Sequence, residues 1–171
     1  MNRRALTHLL IAGVLSAVSA PAFALPANAA GNVVYLHSLS VGNIRKCLQP
    51  LDGSAEIGVP IVQEICDLSP VQQWLRIPDG DGYKFQNVGT QACLDARGGA
   101  TNGTPVQQWT CERITNERWS VPGDIPTPVY SRVAGTRSHC LDDPNQSTDV
   151  GTAMQIYECN GTSAQDWSVQ P

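Results

Sequence analysis

A threefold internal repeat constrains this chain more than any other feature of its sequence. Each copy contains a Cys-Leu pair, a second cysteine 18 or 19 residues later, and a tryptophan eight residues after that. The first cysteines of successive copies are 46 and 47 residues apart, a period typical of one repeated supersecondary unit. We therefore predict three copies of one unit, at about residues 32–77, 78–123 and 124–171. The landmarks are Cys47, Cys66 and Trp74, then Cys93, Cys111 and Trp119, then Cys140, Cys159 and Trp167.

The repeated unit has the composition of β-structure. The chain contains 12 prolines and 15 glycines, and the segments between them are short and alternate in polarity, as in 83–87 and 129–132. Prolines and glycines at this frequency exclude a helical solenoid. A β-propeller usually needs four or more blades, whereas this chain has three units. We therefore predict an all-β chain whose three units bury their apolar faces together in a closed threefold assembly.

The N-terminus has the pattern of a secretory signal peptide. Arg3 and Arg4 precede an apolar stretch at 9–18, and Ala27-Asn28-Ala29 is a small-x-small cleavage site. An apolar run of about ten residues is too short to span a bilayer, which needs roughly 20. We predict a signal peptide at 1–29, a single domain at 30–171, and a secreted, extracellular protein.

Charge argues against two classes of partner. Removal of residues 1–29 takes away two arginines and no acid, which leaves 9 basic and 15 acidic residues. A mildly acidic chain without a basic cluster repels phosphate backbones and anionic lipid headgroups. We therefore expect neither nucleic acid nor membrane as a partner.

The six cysteines predict one disulfide in each repeat. An even number of cysteines in an exported chain indicates disulfides, and the repeat favours the connectivity that treats each copy alike. The predicted pairs are Cys47 with Cys66, Cys93 with Cys111, and Cys140 with Cys159. A metal site is the weaker interpretation because the chain has no Cys-x-x-Cys pair, and we expect no metal and no cofactor.

The second copy carries the motifs of a known family. Cys93-Leu94-Asp95, the run from Asn102 to Cys111, and the Gln-x-Trp motif or its near-match in every copy resemble the ricin B-chain type lectin domain. The resemblance covers about residues 32–170. It implies a β-trefoil with three pseudo-symmetric repeats and a shallow carbohydrate pocket on each repeat.

Comparison of the three copies separates scaffold from site. A tryptophan closes every copy, so we assign Trp74, Trp119 and Trp167 to the core. The first residue of Gln-x-Trp, Gln72 or Gln165, is predicted to satisfy backbone groups. An aromatic ring stands before the second cysteine in only two copies, as Trp109 and Tyr157, which favours exposed platforms for a pyranose ring.

Polar residues complete two candidate sites. Asp95 and Asp142 follow the first cysteine of their copies, where a carboxylate accepts hydroxyl protons. The resemblance adds Gln107 and Gln155, although turn or strand-edge hydrogen bonding explains these two amides equally well. It also adds Asn116, the residue before the Gln-x-Trp position. The carbohydrate-binding candidates are Asp95, Gln107, Trp109, Asn116 and Glu117 in copy two, and Asp142, Gln155, Tyr157 and Gln165 in copy three.

The copies differ in completeness. We rank copy two first, although Glu117 stands where the family has Gln, and copy three second, because Ala164 replaces the Asn. Copy one has neither carboxylate nor ring and is predicted to be a structural repeat without binding. Its corresponding residues are Gln49, Val62, Glu64 and Val71.

These residues predict a secreted lectin-like protein that binds a galactose-type or xylan-type glycan, polymeric or clustered. The chain has no Gly-x-Ser-x-Gly, no His-Glu-x-x-His and no phosphate loop, so we do not expect an enzyme. The remaining alternative is a non-catalytic β-trefoil module for protein interaction or protease inhibition, because one fold serves many functions.

Overall fold

The chain is organised as antiparallel strands joined by single-turn 3-10 helices. The computed structural model describes residues 32–40, 45–112, 114–123 and 125–171. The strands are β1 Val33–Ser38, β2 Lys46–Pro50, β3 Ile61–Ile65, β4 Trp74–Asp79, β5 Gly82–Asn87, β6 Cys93–Ala96, β7 Thr104–Trp109, β8 Trp119–Ser120, β9 Tyr130–Ser131, β10 His139–Asp142, β11 Gln155–Glu158 and β12 Trp167–Gln170. The 3-10 turns are Leu51–Gly53, Pro70–Gln72, Thr115–Glu117, Pro144–Gln146 and Ser163–Gln165.

Six of the strands close a barrel. β1 pairs with β4 and with β12, β4 pairs with β5, β5 with β8, and β8 with β9. A bridge between Thr127 and Trp167 joins the segment before β9 to β12 and completes the ring. Each repeat contributes two of these strands, so the barrel forms only when all three repeats are present.

Three hairpins cover one end of the barrel. β2 pairs with β3, β6 with β7, and β10 with β11. The hairpins also contact one another, through the pairing of β7 with β11 and through bridges from Pro60 to Gln107 and from Val62 to Ala153. A six-stranded barrel capped by three hairpins is a β-trefoil, which confirms the predicted fold class.

The tryptophan of each repeat lies in the core. Trp74, Trp119 and Trp167 have no exposed surface. Their indole N–H groups donate to the backbone oxygens of Leu48, Leu94 and Leu141, at 3.0, 2.9 and 3.0 Å. The same hydrogen bond therefore recurs three times, because the indole ring lies in the same position relative to the Cys-Leu strand in each repeat.

All three predicted disulfides are present. Their Cα atoms lie 5.0, 5.0 and 5.1 Å apart in the order of the repeats. His37 lies beside the first disulfide, with Nδ1 3.3 Å from Cys47 Sγ and 3.4 Å from Cys66 Sγ. Within the described residues, this is the one cluster of three possible metal ligands, and its sulfurs are already bonded to each other.

The predicted signal peptide at 1–29 lies outside the described residues. It stays a prediction, as do the domain start at residue 30 and the exact limits of the three repeats. Among the residues with described coordinates, no helix has the length and apolar character needed to cross a membrane.

Candidate functional site

Cross-strand pairing brings the predicted carboxylates and amides together. Asp95 on β6 lies opposite Gln107 on β7, and Asp142 on β10 lies opposite Gln155 on β11. Opposite residues in an antiparallel pair share one face of the hairpin. The amide of Gln107 accordingly donates to Asp95 Oδ1 at 2.9 Å, and that of Gln155 to Asp142 Oδ1 at 2.7 Å. Both amides therefore bind the carboxylate of their own repeat.

The aromatic candidates lie at the outer edge of the same hairpins. Trp109 and Tyr157 are each 38% exposed, whereas the three repeat-closing tryptophans are fully buried. Each ring stands two residues after the amide that binds the carboxylate, so ring, amide and acid lie on one side of each hairpin. The indole of Trp109 also lies against the preceding repeat, where a Cβ on Gly58 would be 3.6 Å from its six-membered ring.

Repeat three forms a concave pocket around its acid, amide and ring, called the sugar pocket below. It has a volume of about 270 Å³. Its lining residues are Asp142, Asn145, Gln146, Gln155, Tyr157, Asn160, Thr162 and Ala164. The pocket thus contains three of the four candidates of this repeat.

Sequence reasoning missed several residues of this pocket. Asn145 and Gln146 form a tight turn with positive φ values of 59° and 55°, which places their side chains at the pocket although they lie outside the hairpin strands. Asn160 follows the second cysteine, where the other copies have Asp67 and Glu112. A polar residue at this position in every copy was the one available signal for Asn160.

Gln165 supports Asp142 from behind the sugar pocket. Its amide donates to Asp142 Oδ2 at 3.0 Å and to the Glu158 backbone oxygen at 3.0 Å, and its Oε1 accepts the backbone N–H of Asn160 at 2.9 Å. This arrangement satisfies backbone groups, as predicted from the Gln-x-Trp pattern. Each carboxylate oxygen of Asp142 therefore accepts one amide hydrogen and keeps a lone pair for a ligand hydroxyl.

The Gln-x-Trp position of repeat one makes the same contacts without an acid. Gln72 donates to Gln49 Oε1 at 2.8 Å and to the Ile65 backbone oxygen, and accepts the backbone N–H of Asp67. Glu64, at the position of the exposed rings, accepts the N–H of Ile65. Repeat one therefore keeps the supporting contacts, but it has an amide, Gln49, at the position of the acid and a carboxylate, Glu64, at the position of the ring.

Repeat two has a different arrangement because Glu117 replaces the glutamine. Glu117 is fully buried, and both of its oxygens accept the backbone N–H of Glu112, at 2.9 and 2.8 Å. Lys84 Nζ lies 3.5 Å from Glu117 Oε2 and donates to the Glu112 backbone oxygen. Asp95 is thus held by Gln107, and a carboxylate stands where the other repeats supply an amide donor. Asn116 is half-buried in the 3-10 turn Thr115–Glu117.

Burial raises the pKa of both carboxyl groups in repeat two. For Asp95, desolvation is the main cause, the hydrogen bond from Gln107 opposes it, and the charge of Glu112 adds to it. For Glu117, desolvation again dominates, the N–H of Glu112 and the Lys84 ammonium oppose it, and the charge of Asp95 adds to it. Three carboxylates, those of Asp95, Glu112 and Glu117, and one cation, that of Lys84, therefore lie close enough to influence one another.

The sequence matches one family over about half of its length. Residues 25–109 match the ricin-type beta-trefoil lectin domain-like family. The chain is also 32% identical over 68 residues to serine protease 1 of Rarobacter faecitabidus. That match covers 40% of this chain and 11% of the protease, so the chain spans a small part of this relative.

Solved structures with the same fold include designed and natural proteins. The designed threefold-symmetric protein ThreeFoil has a TM-score of 0.74 and 25% identity, over 82% of this chain and 99% of its own. An exo-beta-1,3-galactanase of Clostridium thermocellum has a TM-score of 0.73 and 28% identity, over 81% of this chain and 30% of its own. A ricin B-like lectin of Macrolepiota procera, solved with lactose, has a TM-score of 0.68 and 16% identity, over 82% of this chain and 95% of its own.

Proposed function

The chain carries a domain of the ricin-type β-trefoil lectin family, and we propose that it binds glycans non-covalently through shallow pockets on repeats two and three. One observation carries the proposal: an acid, an amide bonded to that acid, and an exposed ring occur together in these two repeats. A pyranose places its C–H face on such a ring and donates its hydroxyls to the carboxylate. We propose a galactose-type or xylan-type ligand.

We rank the sugar pocket of repeat three above the site of repeat two, which reverses the order expected from the sequence. Asp142 receives an amide hydrogen on each oxygen, whereas Asp95 receives one from Gln107 and stands near the charge of Glu117. A carboxylate held at both oxygens is better preorganised for a ligand. The better-supported acid of repeat three outweighs its Ala164, because Asn160 lines the same pocket.

Each site is expected to bind weakly and the two together more strongly. One ring and a few solvent-exposed hydrogen bonds give about −4 to −5 kcal/mol, which corresponds to roughly millimolar binding. Two sites on one rigid body raise the avidity for a polymer by roughly 10² to 10⁴ where the spacing fits. A polysaccharide or a clustered glycan is therefore the ligand we propose.

Retention on galactoside and xylan resins tests this proposal. Trp109→Ala and Tyr157→Ala each remove one platform, so each should lower avidity, and the double variant should not be retained on the resin that holds the unaltered protein. Glu64→Ala is the matched control, because it changes the equivalent position of repeat one. Full retention of the double variant, or equal loss in the control, would contradict the proposal.

We further propose that the protein is exported and acts without turnover. The signal-like segment at 1–29 and the pairing of all six cysteines support export. Deletion of 1–29 should retain the protein inside the cell, and the secreted form should begin near residue 30. Release of dye from a panel of chromogenic glycosides would instead identify an enzyme.

A further inference from the structure

A second cavity lies beside the sugar pocket of repeat three. It has a volume of about 290 Å³, close to the 270 Å³ of the sugar pocket. Its lining residues are Pro128, Tyr130, Cys140, Cys159, Gly161, Gln165 and Asp166. We call it the side cavity. A single turn separates the two spaces, because Asn160 and Thr162 line the sugar pocket and Gly161, between them, lines the side cavity.

Internal comparison explains why repeat three has this cavity. His37, Gln86 and Tyr130 each pair with the first cysteine of their repeat, so the residues two positions earlier are equivalent. These are Tyr35, Lys84 and Pro128. In repeat one the ring of Tyr35 stacks on His37, with centroids 5.7 Å apart, and in repeat two Lys84 extends to Glu117. The proline of repeat three has neither an aromatic ring nor a long side chain at this place.

A second lining position of the side cavity also carries a smaller residue in repeat three. Gly161 occupies the position of Leu68 in repeat one, where the leucine side chain is 64% exposed. A Cβ at Gly161 would meet no atom within 4 Å. Two independent positions thus carry small residues in the repeat that also forms the sugar pocket.

The lining of the side cavity combines an apolar surface with one acid. The half-exposed ring of Tyr130 and the disulfide Cys140–Cys159 supply apolar surface, and the half-buried Asp166 supplies a carboxylate. An aliphatic ligand would remove that carboxylate from water without giving it a hydrogen bond, which costs free energy. A sugar covers the ring with C–H groups and donates hydroxyls to the acid.

We propose that the side cavity is a second saccharide subsite, which binds the residue next to the one held in the sugar pocket of the same glycan chain. This proposal rests on the proposed function, since it needs a sugar in the sugar pocket. Gln165 forms the wall between the two subsites. Its polar atoms are engaged by Asp142, Glu158 and Asn160, so it separates the subsites without binding in the second one. Repeat three should therefore prefer oligosaccharides to monosaccharides.

Calorimetric titration with sugars of one and three residues tests the second subsite. All proteins carry Trp109→Ala, so that repeat two does not contribute. The probes are galactose, β-1,3-galactotriose, xylose and xylotriose. With an open side cavity, the trisaccharide that binds should do so about tenfold more tightly than its monosaccharide, a difference of about 1.4 kcal/mol.

Two variants fill the side cavity from opposite walls. Pro128→Lys introduces the residue of repeat two, and Gly161→Asn adds a side chain that tolerates the local φ of 69°. Each should remove the tenfold gain and leave monosaccharide affinity unchanged. Gly151→Asn is the matched control, because Gly151 also has a positive φ and open space around it but lies outside both pockets.

The outcomes distinguish the second subsite from the function itself. The second subsite is wrong if Pro128→Lys and Gly161→Asn both still bind the trisaccharide more tightly than the monosaccharide. It is also wrong if Trp109→Ala alone binds the monosaccharide but gains nothing from the trisaccharide. If Trp109→Ala alone binds no monosaccharide, or if monosaccharide binding persists when Tyr157→Ala is added, the sugar pocket itself is wrong and the second subsite with it. If one filled variant fails to fold, the other decides.

Discussion

Replacement of Lys84 by methionine tests how much the ion pair between Lys84 and Glu117 contributes to the free energy of unfolding. Glu117 is fully buried and Lys84 is 12% exposed, with Nζ and Oε2 3.5 Å apart. Methionine retains most of the alkyl chain and removes the cation. Loss of one partner of a buried pair costs about 3–5 kcal/mol, and we expect the low end, about 3 kcal/mol, because the Glu112 N–H still binds Glu117.

The loss should depend on pH in a definite direction. Burial and the charge of Asp95 raise the pKa of Glu117, and removal of Lys84 takes away one opposing influence. An acid whose folded pKa lies above its unfolded value, about 4.3, contributes stability that is fully present below that value. This contribution is lost as the pH rises through the folded pKa. The deficit of Lys84→Met should therefore be largest at neutral pH and shrink towards pH 4.

Glu117→Gln in the same background is the matched rescue. A glutamine there can accept the Glu112 N–H and donate towards Asp95, as Gln165 donates to Asp142 at 3.0 Å. The double variant should come within about 1 kcal/mol of the unaltered protein, since both partners are then uncharged. Urea unfolding with disulfides intact, followed by tryptophan fluorescence at pH 7 and pH 4, measures the unaltered protein, Lys84→Met, Glu117→Gln and the double variant. Strictly additive losses, or the same deficit for Lys84→Met at both pH values, would show that Lys84 does not stabilise the Glu117 carboxylate.

Three further predictions concern binding and stability. Asp142→Asn keeps the size of the residue but removes its charge, so affinity for a single sugar should fall about tenfold in titration calorimetry. Trp167→Phe deletes the indole N–H that donates to Leu141, and chemical denaturation should show a loss of about 2–4 kcal/mol. Replacement of both Cys93 and Cys111 by alanine removes a disulfide between residues 18 positions apart. The same assay should show a loss of about 3 kcal/mol in the free energy of unfolding.

The sequence was sufficient for the parts of the structure that obey the threefold repeat. The disulfides and the core tryptophans follow from spacing alone, because each copy must build the same unit and each residue has one equivalent environment. For the amides Gln107 and Gln155, in contrast, the sequence did not decide between ligand binding and structural hydrogen bonding. Their contacts depend on the cross-strand register, which sets Gln155 opposite Asp142 and is not encoded in the spacing of cysteines.

The residues that sequence reasoning missed lie in turns, outside the repeated Cys-Leu and Gln-x-Trp landmarks. Asn145 projects from a turn with positive φ, and Asn160 from a turn between strands, so backbone conformation decides their positions. The side cavity is lined by Pro128 and Gly161, which are smaller than their equivalents in repeat one, and small residues at these positions form no motif to recognise. Comparison among copies identifies such positions only after the strands have been aligned in space.

One hydrogen bond explains how the repeats can differ in binding while sharing a fold. The Gln-x-Trp amide donates to the second residue after the first cysteine, whether that residue is Gln49 or Asp142. A neutral amide oxygen and a carboxylate oxygen both accept this bond, so repeat one carries an uncharged Gln49 and still makes the contact that supports the scaffold. In repeat two the donor itself changed to Glu117, and Lys84 supplies the compensating charge. In repeats one and three the scaffold thus requires only an acceptor at this position, which either an amide or a carboxylate can supply.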